Sequence, residues 1–173
     1  LNVDEATKAQ AAQNGDNNNQ IAVARILKVF TYQVMTDTWG DIPYSSFGGS
    51  NATFDAGKAD QGVIYAQYAK QELIYADLLK ELKEASDQLN TGSSAFASGD
   101  AIYKGNALKW KKFANSLSLR IANRVRSKLN EADNRIKEIL ANPAQYPIFE
   151  SNDDNALLAF ETNAPNQAPF YKA

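Results

Sequence analysis

Three kinds of side chain in this sequence could carry chemistry or hold a ligand. Carboxylates come first: Asp37 and Asp41 stand four residues apart at the end of an apolar run, and Asp153 is followed directly by Asp154. Hydrolysis of a glycosidic bond needs two acids flanking it, one protonated and one ionised. Next to Gly40 and Pro43, however, aspartates also serve as turn and cap residues, because their short side chains bond the local backbone, and that is the preferred reading. Asn152, Asp153, Asp154 and Asn155 offer oxygens to a calcium ion, but not at EF-hand spacing, so they are assigned to a surface turn. Arg120 and Arg124, one helical turn apart, could clamp an anion; beside an apolar stripe they are better read as ties to a carboxylate or carbonyl of a neighbouring helix.

Aromatic rings are the third kind, with 8 Tyr, 8 Phe and 2 Trp in 173 residues. Sugars present flat C–H faces that stack on such rings, while Asn, Gln and Asp bond the hydroxyls. Trp110, Phe113, Tyr68 and Tyr75 fall at helical spacing and are assigned to the core. The aromatics between helices, Tyr44, Phe47, Phe54, Phe96 and Tyr171, are therefore the candidate ligand-binding residues. No catalytic residue, metal ligand or cofactor is assigned.

Composition narrows the chemistry further. The chain contains no cysteine and no histidine, which removes disulfides, thiol nucleophiles, Cys-ligated zinc and every His-dependent triad. A net charge of −2 gives no long-range field to recruit nucleic acid or an anionic bilayer. No stretch reaches the ~20 apolar residues of a membrane helix, and the run from Ile21 to Met35 is broken by Arg25, Lys28 and Gln33.

The elements that must position these residues are helical. Residues 1–19 end in a polar Asn-rich cluster and read as a loop. From Gln20 to about Thr38 a first long helix is expected, with Val23, Leu27, Phe30 and Val34 as its stripe and Ile26, Val29 and Tyr32 widening it. Gly40 can close it and Pro43 keeps Ile42 extended. After a Gly-containing loop, the spacing of Ile64, Tyr68, Gln71, Tyr75, Leu78, Leu82, Ala85 and Leu89 predicts a second helix capped by Asp60. A Ser- and Gly-rich connection leads to a third helix, from the cap Asn106 to about Leu129, carrying Trp110, Phe113, Leu117, Ile121 and Val125. A short fourth helix follows, capped by Asn130 and carrying Ile136, Ile139 and Leu140, and Asn142-Pro143 ends it. Ala156 to Phe160 could form a short strand. Long helices without alternating strands predict an all-α fold of packed antiparallel helix pairs in one domain over residues 1–173, with irregular loops near 39–60, 90–105 and 141–173.

Two stretches together resemble a known family. The run Val34-Met35-Thr36-Asp37-Thr38-Trp39-Gly40-Asp41-Ile42-Pro43-Tyr44 is similar to a signature that follows a long helix in SusD/RagB-like proteins. Lys109-Trp110-Lys111-Lys112-Phe113-Ala114-Asn115-Ser116-Leu117-Ser118-Leu119-Arg120-Ile121-Ala122 is similar to a helix of the same family. Their order and separation fit, as does the later stretch from Ile148 to Asn155. The resemblance covers residues from about 20 to 165 and implies an internal fragment of a larger protein. It further implies a tetratricopeptide-like α-α superhelix of the SusD type and a lipoprotein exposed on the Bacteroidetes outer membrane. Such a protein would bind glycan, or in some members peptide, and cap a SusC-like TonB-dependent transporter without catalysis. The family's lipid-bearing cysteine has no counterpart here, so an anchor would lie outside this stretch. No binding residue transfers through the motifs, and Trp39 and Trp110 are both read as structural anchors. The competing expectations are a helical-repeat scaffold that binds a protein or peptide partner and, ranked last, an inverting glycosidase using Asp37 and Asp41.

Overall fold

The structure is a computed structural model that describes residues 4–160, 167 and 168. Its first element was not legible from hydropathy. Helix α1, Glu5–Ala12, is capped by Asp4, whose carboxylate accepts from the Thr7 backbone N–H at 2.9 Å, and it buries no residue. Good helix formers and a cap suffice for a short surface helix that shows no apolar periodicity.

Helix α2, Asn17–Trp39, starts at Asp16, whose side chain accepts from the Asn18 and Asn19 N–H groups. Its buried face is Ala22, Val23, Ile26 and Val29 with Asn19, Arg25, Gln33 and Thr36. The expected stripe is therefore rotated, because Leu27, Phe30 and Val34 remain 39%, 38% and 47% exposed. The helix carries apolar residues over more than one face, so spacing alone did not identify the side that meets a neighbour. Gly40 closes it at φ 76°, where a Cβ would be strained, and its N–H bonds the Thr36 carbonyl.

Beyond that turn, strand β1 (Ile42–Pro43) pairs antiparallel with β2 (Tyr68–Ala69), Pro43 opposite Tyr68. The helix expected from Asp60 begins only at Gln71. Residues Ala59–Gln61 form a 3-10 turn stopped by Gly62 at φ 85°, and Ile64 and Tyr68 are 79% and 69% exposed rather than core. Asp41 supplies the start instead, its carboxylate accepting from the Gln71 N–H and from Lys70, each at 2.9 Å. Helix α3, Gln71–Gln88, then buries Tyr75, Leu78, Leu82 and Ala85 as expected.

Helix α4, Ala107–Val125, is capped by Asn106, which accepts from the Lys109 N–H at 3.0 Å. It buries Trp110, Leu117, Ile121 and Val125 and holds Phe113 half-buried. Helix α5, Asn130–Ala141, is entered from Leu129 rather than capped by Asn130; it buries Ile139 but leaves Leu140 exposed. The stretch Ala156–Phe160 is irregular chain and not a strand.

The result is an all-α fold of packed helix pairs, α2 on α3, α3 on α4 and α4 on α5, with α2 also touching α4. Trp110 lies at the centre of the α4 packing at 1% exposure, edge-on to Tyr103 at 5.1 Å. Trp39 is not the second anchor that the motif implied: it is 68% exposed at the end of α2. The frame of that turn is instead Ile42 and Tyr44, 4% and 1% exposed.

Candidate functional site

The paired acids do not face one bond. Asp37 accepts from Gln33 and Tyr75 and pairs with Arg124 Nε at 3.2 Å, while Asp41 is spent on Lys70 and the first N–H of α3. Burial, then the bond to Asp37, pushes the Tyr75 phenol up to about 12. Arg120 donates to Gln33 Oε1 at 2.5 Å, so both arginines of α4 tie to α2 as expected. Asp154 accepts from Lys112 at 3.0 Å and from the Glu150 N–H at 2.9 Å, which makes the acidic stretch at 152–155 a braced turn against α4.

The aromatic candidates separate by burial. The Tyr44 ring packs edge-on against Tyr32 and Phe54, each at 4.7 Å, and its hydroxyl donates to the buried Asp77 at 2.7 Å. Burial and that carboxylate hold the phenol protonated far above its ordinary range. With Phe54 at 2% exposure, neither ring offers a face to a ligand; both brace the loop from inside. Phe96 is half-buried beside a smaller apolar cavity of about 250 Å³ with Val23, Leu27, Ile102, Trp110 and Leu158. Tyr171 lies outside the described residues.

Phe47 stands apart. It is half-buried on the wall of a cleft of about 880 Å³ between Ala24, Arg25 and Lys28 of α2 and the loop from Ser45 to Gln61, a size in the range of small-molecule sites. The Arg25 guanidinium lies 4.5 Å from its ring centroid, one face stacked on a cation. Ser45, Ser46, Lys58, Asp60 and Gln61 line the same cleft with hydrogen-bonding groups, together with Gly48, Gly49 and Gly57.

The cleft is fixed from beneath. Arg25 Nε pairs with Glu81 of α3 at 3.0 Å, its Nη1 donates to Gln88 at 3.2 Å, and its Nη2 meets Glu84. Lys28, one turn later, donates from Nζ to the Ser45 carbonyl at 2.6 Å and so clamps the start of the loop onto α2. Burial, opposed by Glu81 and Asp77 and reinforced by Arg25, lowers the pKa of that ammonium. Within the loop, Ser46 Oγ accepts from the Asn51 N–H at 2.8 Å, and Asp55 accepts from the Gln67 N–H at 3.0 Å. The sequence did mark Arg25 and Lys28, as interruptions of an apolar run, but not the loop that comes to lie over them. It gave no sign of the exposed rings of Trp39, Tyr65 and Tyr68 either.

A model of SusD-like proteins, described as starch-binding and associating with the outer membrane, matches residues 1–173. Among solved structures, a chitin-binding protein is 39% identical, with TM-score 0.62 over 80% of this chain and 27% of its own. A SusD homologue from Bacteroides uniformis is 35% identical, with TM-score 0.62 over 82% of this chain and 27% of that one. A further homologue, from Bacteroides fragilis, reaches TM-score 0.70 at 28% identity, over 88% of this chain and 31% of that one. The chain thus spans between a quarter and a third of the length of the structures it matches. No curated protein matches it.

Proposed function

The chain belongs to the SusD-like family of starch-binding, outer-membrane-associated proteins, and on that premise we propose that it binds oligosaccharide without transforming it. The observation that carries this reading is the cleft at Phe47: an aromatic ring with a cation behind it and hydroxyl, amide and carboxylate groups around it. Such a site holds a sugar ring by stacking and hydrogen bonds, each weak, which suits capture followed by release. The engagement of Asp37 and Asp41 in separate ion pairs supports binding rather than hydrolysis by that pair. In the cell, this reading places the protein on the outer surface of the outer membrane, passing glycan to a SusC-like TonB-dependent transporter.

Calorimetry of the intact protein against a panel of starch, chitin and plant-wall oligosaccharides tests the proposal. Binding to at least one class is expected, weakened about tenfold in Phe47→Ala by loss of the stacking contact. Silence across the panel, or turnover of a bound glycan, refutes it. Recovery of a TonB-dependent transporter with the affinity-tagged protein from outer membranes tests the transfer step.

A second reading, a helical scaffold for a protein or peptide partner, draws on the exposed stripe of Leu27, Phe30 and Val34 along α2. It predicts peptide binding that survives Phe47→Ala and is lost in Phe30→Asp.

A further inference from the structure

Arg25 and Lys28 project from successive turns of α2 into the same cleft, yet their surroundings differ. Arg25 spends all three guanidinium nitrogens on Glu81, Gln88 and Glu84. Lys28 is half-buried and has one recorded acceptor, the Ser45 carbonyl, although an ammonium carries three N–H donors. Two ring faces lie beside it, Tyr32 and Tyr44 at 5.7 and 5.6 Å, and the charges of Glu81, Asp77 and Arg25 lie near enough to act on it. No carboxylate forms an ion pair with it among the described residues. Lys58, on the loop wall, likewise meets a carbonyl, that of Ala52 at 3.3 Å, and no described carboxylate pairs with it. Among the described lining residues, Asp60 is the one carboxylate of the cleft.

From this arrangement we infer that the cleft takes a glycan bearing an anionic substituent, a carboxylate or a sulfate ester, with Lys28 as its anchor and Lys58 as a second contact. The inference rests on the glycan-binding reading and specifies its ligand. The buried acids behind the cleft floor do not remove the need for an anion. Burial lowers the affinity of Lys28 for its proton more than Glu81 and Asp77 raise it, and among the described residues the Ser45 carbonyl is the one acceptor that its ammonium meets. An anionic group entering the cleft supplies a charge-assisted hydrogen bond to the two ammonium groups that line it. Selectivity arises at contact rather than by steering, since the chain's net charge is −2.

Four oligosaccharides of matched length distinguish the sources: oligogalacturonide for carboxylate, sulfated dextran oligosaccharide for sulfate, and maltooligosaccharide and chitooligosaccharide as neutral controls. Calorimetry on the intact protein should show one of the anionic pair binding about tenfold more tightly than either neutral control at low salt, the scale of a hydrogen bond to a charged group. The preference should shrink only in part in about 0.5 M NaCl, because half-buried charge pairs are screened less than exposed ones. In Lys28→Gln, which keeps a polar side chain without the charge, the anionic-to-neutral ratio should fall towards one; Lys58→Gln, on the half-buried loop wall, should lower it partway. Neutral binding with no anionic preference overturns the inference and leaves glycan binding standing. No binding to any of the four, while another neutral glycan of the wider panel binds, also overturns the inference alone. Silence across that whole panel overturns both readings.

Discussion

At the scale of single residues, the best-defended position is Trp110. Its ring is enclosed by Tyr103 and Phe113, and its indole N–H donates to Asp100 at 2.8 Å. Trp110→Ala removes that volume from a buried site, and urea denaturation should show a loss of about 3–5 kcal/mol. Asp100 is the complementary case, invisible in the sequence because its role is to gather donors from a loop. Its two oxygens also accept from the Ile102, Tyr103 and Gly105 N–H groups. Burial acts to raise its pKa, but the Trp110 and backbone bonds prevail, so the folded carboxyl lies below its ordinary 3.8. A carboxylate depressed on folding contributes stability that is full above its unfolded pKa and is lost as pH falls through the folded one. Urea midpoints measured from pH 6 downward should therefore fall more steeply below about pH 4 in the parent than in Asp100→Asn, which starts less stable.

At the scale of elements, the α2–α3 pair is joined by more than apolar packing. Arg25 and Glu81 are 7% and 3% exposed in their side chains, whereas Glu84 is 45% exposed and its contact with Arg25 is weaker for being wet. Removing one partner of the buried pair strands a charge. Arg25→Met or Glu81→Leu alone should cost about 3–5 kcal/mol, and the double variant should be closer to the parent than either single one. A thermal-melt cycle in which the two losses simply add would show that the pair does not couple the helices. Element types were readable where one face was apolar and the cap was local, as in α4, whose stripe and Asn106 cap match the expectation. They were misread where a turn chemistry intervened: Gly62 and the distant carboxylate of Asp41 together displaced the cap of α3 from the expected Asp60 to Lys70.

At the scale of the whole molecule, the packed pairs leave an apolar band along α2 uncovered. Leu27, Phe30 and Val34 of α2 continue to Phe113, 6.0 Å from Phe30, and to the exposed Leu158, which shares the smaller cavity with Leu27. Contiguous apolar surface of this kind associates. The 173-residue chain should therefore self-associate in sedimentation experiments at high concentration, and Val34→Asp should shift it towards monomer without moving the thermal midpoint by more than a few degrees. Concentration-independent sedimentation of the parent would count against an exposed band. No helix among the described residues is long and apolar enough to cross a membrane.

By itself the sequence determined the class of the molecule. The missing histidine and cysteine, the helical spacing within α3 and α4, and the two tryptophan-bearing motifs each depend on residue identity or on neighbours a few positions away. Only the tertiary structure decided which face of α2 is inside, that Trp39 is on the surface, and that Tyr44 and Phe54 brace a loop while Phe47 lines a cleft. Those outcomes depend on what packs from elsewhere in the chain. Arg25 and Lys28 acquire their meaning from Glu81, more than 50 positions downstream, and from a loop that folds back over α2. Hydropathy spacing records how many faces a segment can bury, but it does not record which partner arrives to bury them.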